Sequence, residues 1–437
     1  VMMIALVNSG CQQTANPLLS SFDTPYQTPP FGEIRHEHYE PAFRAAIKEG
    51  LEEVEAITSG QEAPSFANTI EALEYAGMRL NLISDIFYNL LSAETDSRMQ
   101  EIAREISPLV SDYGNDILFN EALFQRIKAV YESRESLDLS PEQMSLLEKT
   151  YKRFARNGAE LDKEAQARLR EISRELSDLS LRFSDNVLAE TNDYFLHITD
   201  EADLSGLPES VREAAAQAAV RKDLQGWVFT LHAPSITPFL QYADNRDLRK
   251  EIHMAFSRRC SGGNAYDNKD ILLRIANLRL ERANMLGYPT HAHFVLEESM
   301  AETPEKVYGL LRQLLDAARP TADREVVEIQ KLAEEMGADF DVMTWDWTYY
   351  SEKLRQQRYN LDQEALRPYF SLEKVKEGIF DLTNRLWGLT YVQNKDIPLY
   401  HEEVEAWEVY NEDGTFLSVL YLDFFPREGK GQGAWMT

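Results

Sequence analysis

The feature that most constrains the fold of this 437-residue chain is a long helical stripe between residues 161 and 188. Large apolar side chains recur there in alternating steps of three and four residues: Leu169, Ile172, Leu176, Leu179 and Phe183. Acidic and basic residues fill the other positions, so the pattern predicts an amphipathic α-helix. Its apolar face needs a partner. We expect the preceding helix, 141–157, to turn at Asn157–Gly158 and pack against it as an antiparallel hairpin.

Several other helices are indicated by their start signals. Ser140 with Pro141 and Gln143 forms a helix-opening pattern, and Thr303 with Pro304 forms another. Ser371 is expected to cap a helix that runs to about Trp387. Further helices are expected over 245–257 and 268–286. The apolar periodicity of residues 69–91 predicts one continuous helix, opened by a capping box between Asn68 and Glu71.

Strand patterns are short and few. The segments 194–198 and 227–231 have the composition of strands. Near the carboxyl end, the segments 404–410 and 416–423 flank Asn411–Gly414, which is typical of a β-hairpin turn. The sequence therefore predicts a mainly α protein with a large helical body and a small antiparallel β-hairpin or sheet near its carboxyl end.

Composition narrows the class of partner. The chain has 45 Lys and Arg residues against 73 Asp and Glu residues, a formal net charge of −28. A surface this acidic repels phosphate backbones, so nucleic acid is excluded as an expected partner.

The two cysteines, Cys11 and Cys260, do not make a disulfide framework. No apolar run approaches the roughly twenty residues that a membrane span requires.

The first residues resemble the end of a secretory signal. The apolar run from Met2 to Val7 leads to Ser9, Gly10 and Cys11, as in a bacterial lipoprotein cleavage box. We therefore expect residues 1–16 to be a truncated leader and linker, with Cys11 as a lipidation site and possible lipid anchor. The expected location is the bacterial cell envelope. An incidental cysteine in an ordinary amino terminus, with a cytoplasmic location, is the alternative.

Histidine spacing gives no metal site. A helical zinc peptidase site uses histidines at i and i+4 with a glutamate between them, and no pair among the eight histidines has that spacing. The closest patterns are His36–His38 and His291–His293, which are i, i+2 pairs near helix starts and are expected to be solvated. We assign no metal ligand to this chain.

The sequence also lacks a recognisable motif for nucleophilic catalysis. There is no G-x-S-x-G nucleophile elbow in the sequence. Cys260 follows Arg258 and Arg259, which could lower the pKa of its thiol, whereas a structural cysteine is the alternative. We therefore assign no catalytic residue within the 437 residues.

Five phrases, in order along the chain, resemble the M3 family of zinc oligopeptidases, which includes bacterial peptidyl-dipeptidases and oligopeptidase A. They are Thr28–Ile34 with His38–Phe43, Ser65–Ile70, Arg282–Tyr288, Trp345–Arg355, and Tyr421–Lys430 with Gly433–Met436. The resemblance extends from about residue 20 to Thr437. It implies a mainly helical protein of two lobes around a channel that admits short peptides.

The resemblance also implies different roles for two regions of the chain. Residues 17–260 would form wall and roof of the channel, and residues 261–437 would begin the catalytic region. Zn²⁺ would be bound by an H-E-x-x-H motif and a later glutamate, and the motif's glutamate would activate water. None of these can be carried onto a residue here. We therefore expect an amino-terminal fragment that itself lacks zinc and activity.

The resemblance implies a substrate-facing role for Gly433, Ala434 and Trp435, because the corresponding family segment is an edge strand to which an extended peptide can add. Burial by further sequence is the alternative. Tyr349, Tyr350 and Arg355 are expected to serve packing, and Asp423 with Arg427 a structural ion pair. The function predicted is hydrolysis of short oligopeptides by a zinc metallopeptidase. The alternative is a noncatalytic helical peptide-binding or scaffold lipoprotein. The oligomeric state is not predicted.

Overall fold

The computed structural model describes residues 16–360 and 363–437. Contacts divide the chain into two compact units. Unit 1 comprises the residues up to Asp162 together with Tyr391–Phe425 and Thr437, and unit 2 comprises Lys163–Thr390 together with Pro426–Met436. The polypeptide therefore passes from unit 1 into unit 2, returns to unit 1, and enters unit 2 again before its last residue, Thr437, which is assigned to unit 1. The separate prediction of domains at 17–260 and 261–437 stays a prediction.

Unit 1 is built mainly from helices. They are α1 (His36–Ser59), α2 (Ala72–Tyr75), α3 (Met78–Ala93), α4 (Ser97–Leu118), α5 (Glu121–Glu132) and α6 (Pro141–Arg156). α1 packs against α3 and α4, and α5 packs against α6. One core holds Phe124, Ile127, Leu147 and Phe154 with side chains of α1 and of the turn before α2. The amphipathic faces of these helices thus bury one another.

The helix expected over residues 69–91 is broken, and that prediction is wrong in two respects. A π-helical turn, Phe66–Glu71, precedes α2, and Gly77 with φ +76° separates α2 from α3. The amino-terminal cap is Ser65, which exchanges hydrogen bonds with Asn68, so Asn68 is the partner within the capping box rather than its first residue. The apolar periodicity persists across the break, which is why the pattern alone did not reveal it.

Unit 2 holds the remaining helices. They are α7 (Lys163–Asp193), α8 (Glu209–Arg221), α9 (Ala233–Tyr242), α10 (Arg246–Ser257), α11 (Lys269–Met285), α12 (His291–Leu296), α13 (Pro304–Glu335), α14 (Thr344–Tyr359), α15 (Gln363–Leu366) and α16 (Leu372–Trp387). Short 3₁₀ turns lie in unit 1 at Pro17–Leu19, Pro25–Gln27 and Arg134–Ser136, and in unit 2 at Glu201–Leu204 and Arg367–Tyr369. No described helix is long and apolar enough to cross a bilayer.

The predicted stripe is present on α7, but the predicted hairpin is wrong. Ile172 and Leu179 are buried against Ile271, Ile275 and Leu278 of α11, so the main partner of α7 is α11. α6 instead packs against α5 in unit 1. The hydrophobic spacing determined which face of α7 is buried, and it carried no information about the distant helix that covers this face.

The strands of the described residues form two small antiparallel sheets. In unit 2, β1 (Phe195–Ile198) pairs with β2 (Trp227–Thr230), and the pair packs with α8, α9 and α10 around Phe229 and Phe239. The second sheet has the order β3 (Thr390–Gln393), β4 (Glu405–Tyr410), β5 (Phe416–Leu422). The predicted hairpin is confirmed, since Asn411 and Gly414 close its turn with a hydrogen bond of 2.9 Å. The mainly α class with small antiparallel sheets is confirmed.

Candidate functional site

The candidate substrate-facing segment follows β5 and belongs to unit 2. Gly433, Ala434 and Trp435 lie outside regular strands, and all three are exposed, Trp435 by 41%. Gly433 has a φ of +114°, a conformation that favours glycine. The structure therefore places the three residues together on an exposed irregular segment, and their role toward substrate stays a prediction.

Side chains from distant parts of unit 2 hold the beginning of this segment. Asn192, at the end of α7, donates from Nδ2 to the carbonyl oxygen of Glu428 at 3.0 Å. Gln432 donates from Nε2 to the carbonyl oxygen of Leu231 at 3.3 Å. Its Oε1 accepts from Arg259 Nη1 at 3.3 Å. Hydrogen bonds therefore hold both the nitrogen and the oxygen of the Gln432 side-chain amide, immediately before Gly433.

Arg259 links this segment to the loop that contains Cys260. The same Nη1 atom donates to Thr191 Oγ1 at 2.7 Å, and Thr191 is buried. Next to it, Glu190 accepts from the backbone N–H of Cys260 and, at 2.7 Å, from Asn264 Nδ2. Cys260 itself has a φ of +56°. The end of α7 thus organises both the 258–264 loop and the approach to Gly433.

The alternatives left open for Cys260 are settled by its surroundings. Burial raises the pKa of the Cys260 thiol to about 11, and the neighbouring Glu190 carboxylate raises it further than Arg259 lowers it. A thiol held protonated at neutral pH is a poor nucleophile. Cys260 is therefore a buried structural residue.

His232 lies in the same region, directly before α9. Its Nδ1 is 3.1 Å from Thr230 Oγ1. Burial lowers the pKa of His232, and the positive charges of Arg259 and Lys222 lower it while Glu428 acts in the opposite direction. The imidazole is consequently kept neutral beside the segment that carries Gly433.

A buried ionic cluster connects α10 and α14. Asp346 is fully buried and accepts from Arg246 Nη2 at 2.8 Å and from Arg249 Nη2 at 3.0 Å. Burial opposes its ionisation, but the hydrogen bonds from Arg246, the Met343 N–H and Arg249 prevail and hold the pKa of Asp346 below its ordinary value. The cluster is therefore charged, and it fixes the first turn of α14.

The predicted packing role of Tyr349 and Tyr350 agrees with their surroundings. Both rings are buried, and the Arg249 guanidinium lies 4.1 Å from the centre of the Tyr349 ring. Tyr349 also donates its hydroxyl to Asp244 Oδ1 at 2.9 Å. These contacts leave both tyrosines inside unit 2, away from solvent.

A second buried acid lies six residues further along α14. Glu352 is only 3% exposed and accepts from Gln241 Nε2 at 2.9 Å and Gln356 Nε2 at 2.8 Å. Arg355 Nη2 also donates to it, as expected for a packing residue. Asp346 and Glu352 were not singled out from the sequence. A buried acid is identified by the groups that pair with it, and Arg246, Arg249 and Gln241 are supplied by other helices.

An open cleft of about 760 Å³ lies beside this helix. It is lined by Gly206–Ser210, Tyr242, Gln356, Asn360 and Glu364. Ser210 donates its hydroxyl to Glu364 Oε2 at 3.0 Å, with Arg367 alongside. A serine bound to a carboxylate and an arginine lacks the imidazole base that activates a nucleophile, so we assign the cleft no catalysis.

The histidines are dispersed. His36 and His291 each begin a helix, as their positions beside helix starts indicated. His36 pairs with Asp96 at 3.3 Å, and His293 contacts Thr290 Oγ1 at 2.8 Å. Within residues 16–360 and 363–437, no group of three histidine, cysteine or carboxylate side chains could hold a metal ion. The described residues therefore do not fit a zinc site. Cys11 lies outside the described residues.

The described features define a mainly helical chain of two compact units, with an exposed segment after its carboxyl-terminal sheet. Residues 239–437 match the family model described as Peptidase family M3. The dipeptidyl carboxypeptidase of Salmonella typhimurium is 35% identical over 425 residues, covering 97% of this chain and 62% of that protein. Oligopeptidase A of Escherichia coli is 34% identical over 426 residues, covering 96% and 62%. Saccharolysin of Saccharomyces cerevisiae is 27% identical over 386 residues, covering 84% and 53%.

These matches show that residues 239–437 fit the model of peptidase family M3 and that most of the chain is similar to relatives named dipeptidyl carboxypeptidase and oligopeptidase A. The predicted resemblance is thereby confirmed. The chain spans about 62% of the length of the first of these relatives. The family match begins at Phe239, in α9, and includes the ionic cluster of α10 and α14 and the segment with Gly433.

Proposed function

We propose that this chain is part of a zinc-dependent peptidase that hydrolyses short oligopeptides. The observation that carries the proposal is the 35% identity to a protein named dipeptidyl carboxypeptidase over 97% of the chain. A similar identity to oligopeptidase A supports the same reaction, hydrolysis of a peptide bond, without deciding whether dipeptides are released or internal bonds are cut.

The zinc ion is proposed to bind outside these 437 residues. No H-E-x-x-H motif occurs in the sequence, and the described residues contain no suitable ligand group. A zinc peptidase site on a helix requires two histidines at i and i+4, so that both imidazoles face the ion. We therefore assign no step of the hydrolysis to a residue of this chain.

The role proposed for this chain is to bind the main chain of the substrate along Gly433, Ala434 and Trp435. The segment is exposed, and Gln432 fixes the backbone that leads into it. Among the described residues, the backbone N–H and C=O groups of Gly433 and Ala434 make no hydrogen bond to another backbone group. Such groups can pair with an extended peptide of any sequence, which suits a peptidase of broad specificity.

The assay that tests the peptidase proposal uses the product of the complete gene and, in parallel, the 437-residue chain. Both are incubated with an internally quenched fluorogenic peptide, before and after chelation and after re-addition of zinc. We expect cleavage by the complete product, lost on chelation and restored by zinc, and no cleavage by the 437-residue chain. Peptide binding without cleavage by the complete product would instead support the noncatalytic alternative.

The substrate-facing role is tested by two substitutions at one position of the complete product. Ala434→Pro removes one backbone N–H donor, whereas Ala434→Ser retains it. One hydrogen bond contributes about 1 kcal/mol, so we expect Ala434→Pro to raise KM about five- to tenfold and Ala434→Ser to leave it within twofold. Equal values for the two variants would remove this segment from the binding site.

We also propose that Cys11 is lipidated and anchors the protein at the bacterial cell envelope. The support is the Ser9–Gly10–Cys11 sequence after an apolar run. Labelling of cells with an alkyne fatty acid should tag the wild-type protein and not Cys11→Ser, with Cys260→Ser as the matched control. A wild-type protein that remains unlabelled and in the cytoplasmic fraction would favour the cytoplasmic alternative.

A further inference from the structure

Helix α16 has an apolar face that the described residues of the chain leave exposed. Val375, Ile379, Leu382 and Leu386 follow one another in steps of four, three and four residues, and we call these four residues the α16 stripe. Their side chains are 39%, 52%, 54% and 59% exposed. None of the side chains of α16 is buried within the described part of the chain.

The local sequence nevertheless specifies this helix fully. Ser371 caps it by accepting from the Lys374 N–H, and Gly388, with φ +73°, ends it. A helix of this length is marginal in water by itself, because most helical stability in proteins comes from packing of the apolar face. The α16 stripe therefore has the properties of a packing surface whose partner is absent from the described residues.

The spacing and charge of α16 indicate what kind of partner fits. Steps of three and four residues form the ridge that another α-helix accepts in its groove. Three acidic residues, Glu373, Glu377 and Asp381, are balanced by three basic residues, Lys374, Lys376 and Arg385. This balance gives no attraction to an anionic bilayer, so an amphipathic helix is the partner that the face favours.

The source of such a helix is indicated by the relatives. They match 97% of this chain but only 62% of their own length, so they contain further polypeptide that this sequence does not match. We propose that the α16 stripe is the docking surface for an amphipathic helix of the same polypeptide, located outside these 437 residues. This inference rests on one part of the proposed function, namely that the polypeptide continues beyond these residues, and not on the peptidase activity itself.

Hydrogen exchange tests the docking directly. Amide exchange over Leu372–Trp387 is compared between the complete gene product and the 437-residue chain, with Glu209–Arg221 of α8 as the internal reference. We expect exchange of α16 to be at least tenfold slower in the complete product and exchange of α8 to be unchanged. Equal exchange of α16 in the two proteins, or a gene that encodes no further residues, would overturn the proposal.

Paired substitutions distinguish this occupant from a second copy. The double variant Ile379→Glu with Leu382→Glu should lower the melting temperature of the complete product, whereas Asp381→Asn on the same helix should not. In the 437-residue chain the double variant should leave the molar mass in solution unchanged. Dissociation of a dimer of that chain by the double variant would show that a second copy covers the stripe, and would overturn the proposal.

The same samples separate this inference from the proposed function. A complete product that protects α16 but cleaves no peptide would contradict the peptidase proposal and leave the docking surface standing. A complete product that cleaves peptides with α16 unprotected would contradict only the docking surface.

Discussion

Arg249 and Asp346 form an ion pair with an N–O distance of 3.0 Å in which both side chains are almost wholly buried, 1% and 0% exposed. Arg246 is the second cation on the same carboxylate, at 2.8 Å. Because a buried charge without a partner is costly, the three side chains depend on one another. They join α10 to α14 inside unit 2, within the part of the chain that matches the peptidase family model.

Removal of the carboxylate charge should therefore destabilise unit 2. Asp346→Asn leaves Arg249 buried without a counter-ion, and we expect a loss of about 3–5 kcal/mol in the free energy of unfolding. Denaturation by urea, followed by circular dichroism, measures it. Asp381→Asn is the matched control, because Asp381 pairs with Arg385 on the surface of α16, and about 0.5 kcal/mol or less is expected. Similar losses in the two variants would show that the buried Arg249 does not depend on the charge of the Asp346 carboxylate.

Acid should remove the difference in stability between the wild-type protein and the Asp346→Asn variant. The pKa of Asp346 is lowered in the folded state, so its contribution is fully present above the ordinary aspartate value of about 3.9. It is lost only as the pH falls through the lower folded value. Melting temperatures of the two proteins between pH 3 and 7 should differ by a constant amount above about pH 4.5 and converge below it. Convergence between pH 7 and 5 would contradict this assignment.

Gly77 should not tolerate a side chain. Its φ is +76°, and a Cβ atom would lie 2.4 Å from the hydroxyl oxygen of Tyr113. We expect Gly77→Ala to destabilise the protein by about 1–2 kcal/mol from the backbone conformation alone, with the clash in addition. Gly114→Ala is the control, because this exposed glycine of α4 has nothing within 4 Å of a built Cβ atom. Alanine there should stabilise by about 0.5–1 kcal/mol, as measured by thermal denaturation.

The Cys260 thiol should react slowly in the folded protein. Burial and the neighbouring Glu190 raise its pKa to about 11, so little thiolate exists at pH 8. In the Cys11→Ser background, modification by a disulfide reagent should be at least tenfold slower in native protein than after unfolding in urea. Glu190→Gln removes the nearby negative charge and is expected to accelerate the native reaction. Equal native and unfolded rates would contradict the buried environment.

Local signals were sufficient for most elements of the fold. Ser140 with Gln143, Thr303 and Ser371 each predicted a helix start that the structure has, because a capping hydrogen bond involves only neighbouring residues. The hairpin after Tyr410 followed from Asn411–Gly414 for the same reason. The break at Gly77 was missed, since the apolar spacing continues through it and only the left-handed backbone marks it.

Relationships between distant residues could not be predicted. α7 displays a clear apolar face, yet its spacing does not say whether α6 or α11 covers it. Arg249 and Asp346 are 97 positions apart, and Arg259 and Gln432 are 173 positions apart. Neither pair has a local signature in the sequence. The residues that support Gly433 are therefore evident only from the folded arrangement, whereas Gly433 itself is indicated by the family resemblance.

The course of the chain through its two units has a consequence for biosynthesis. Unit 1 combines residues up to Asp162 with Tyr391–Phe425, so the ribosome must add more than two hundred intervening residues before unit 1 is complete. During that interval α1–α6 lack the strands β4 and β5, and the stacking partner of Tyr26, Phe416, has not yet been made. Slow translation of unit 2 should therefore prolong a state in which the surface that receives these strands is open to chaperones.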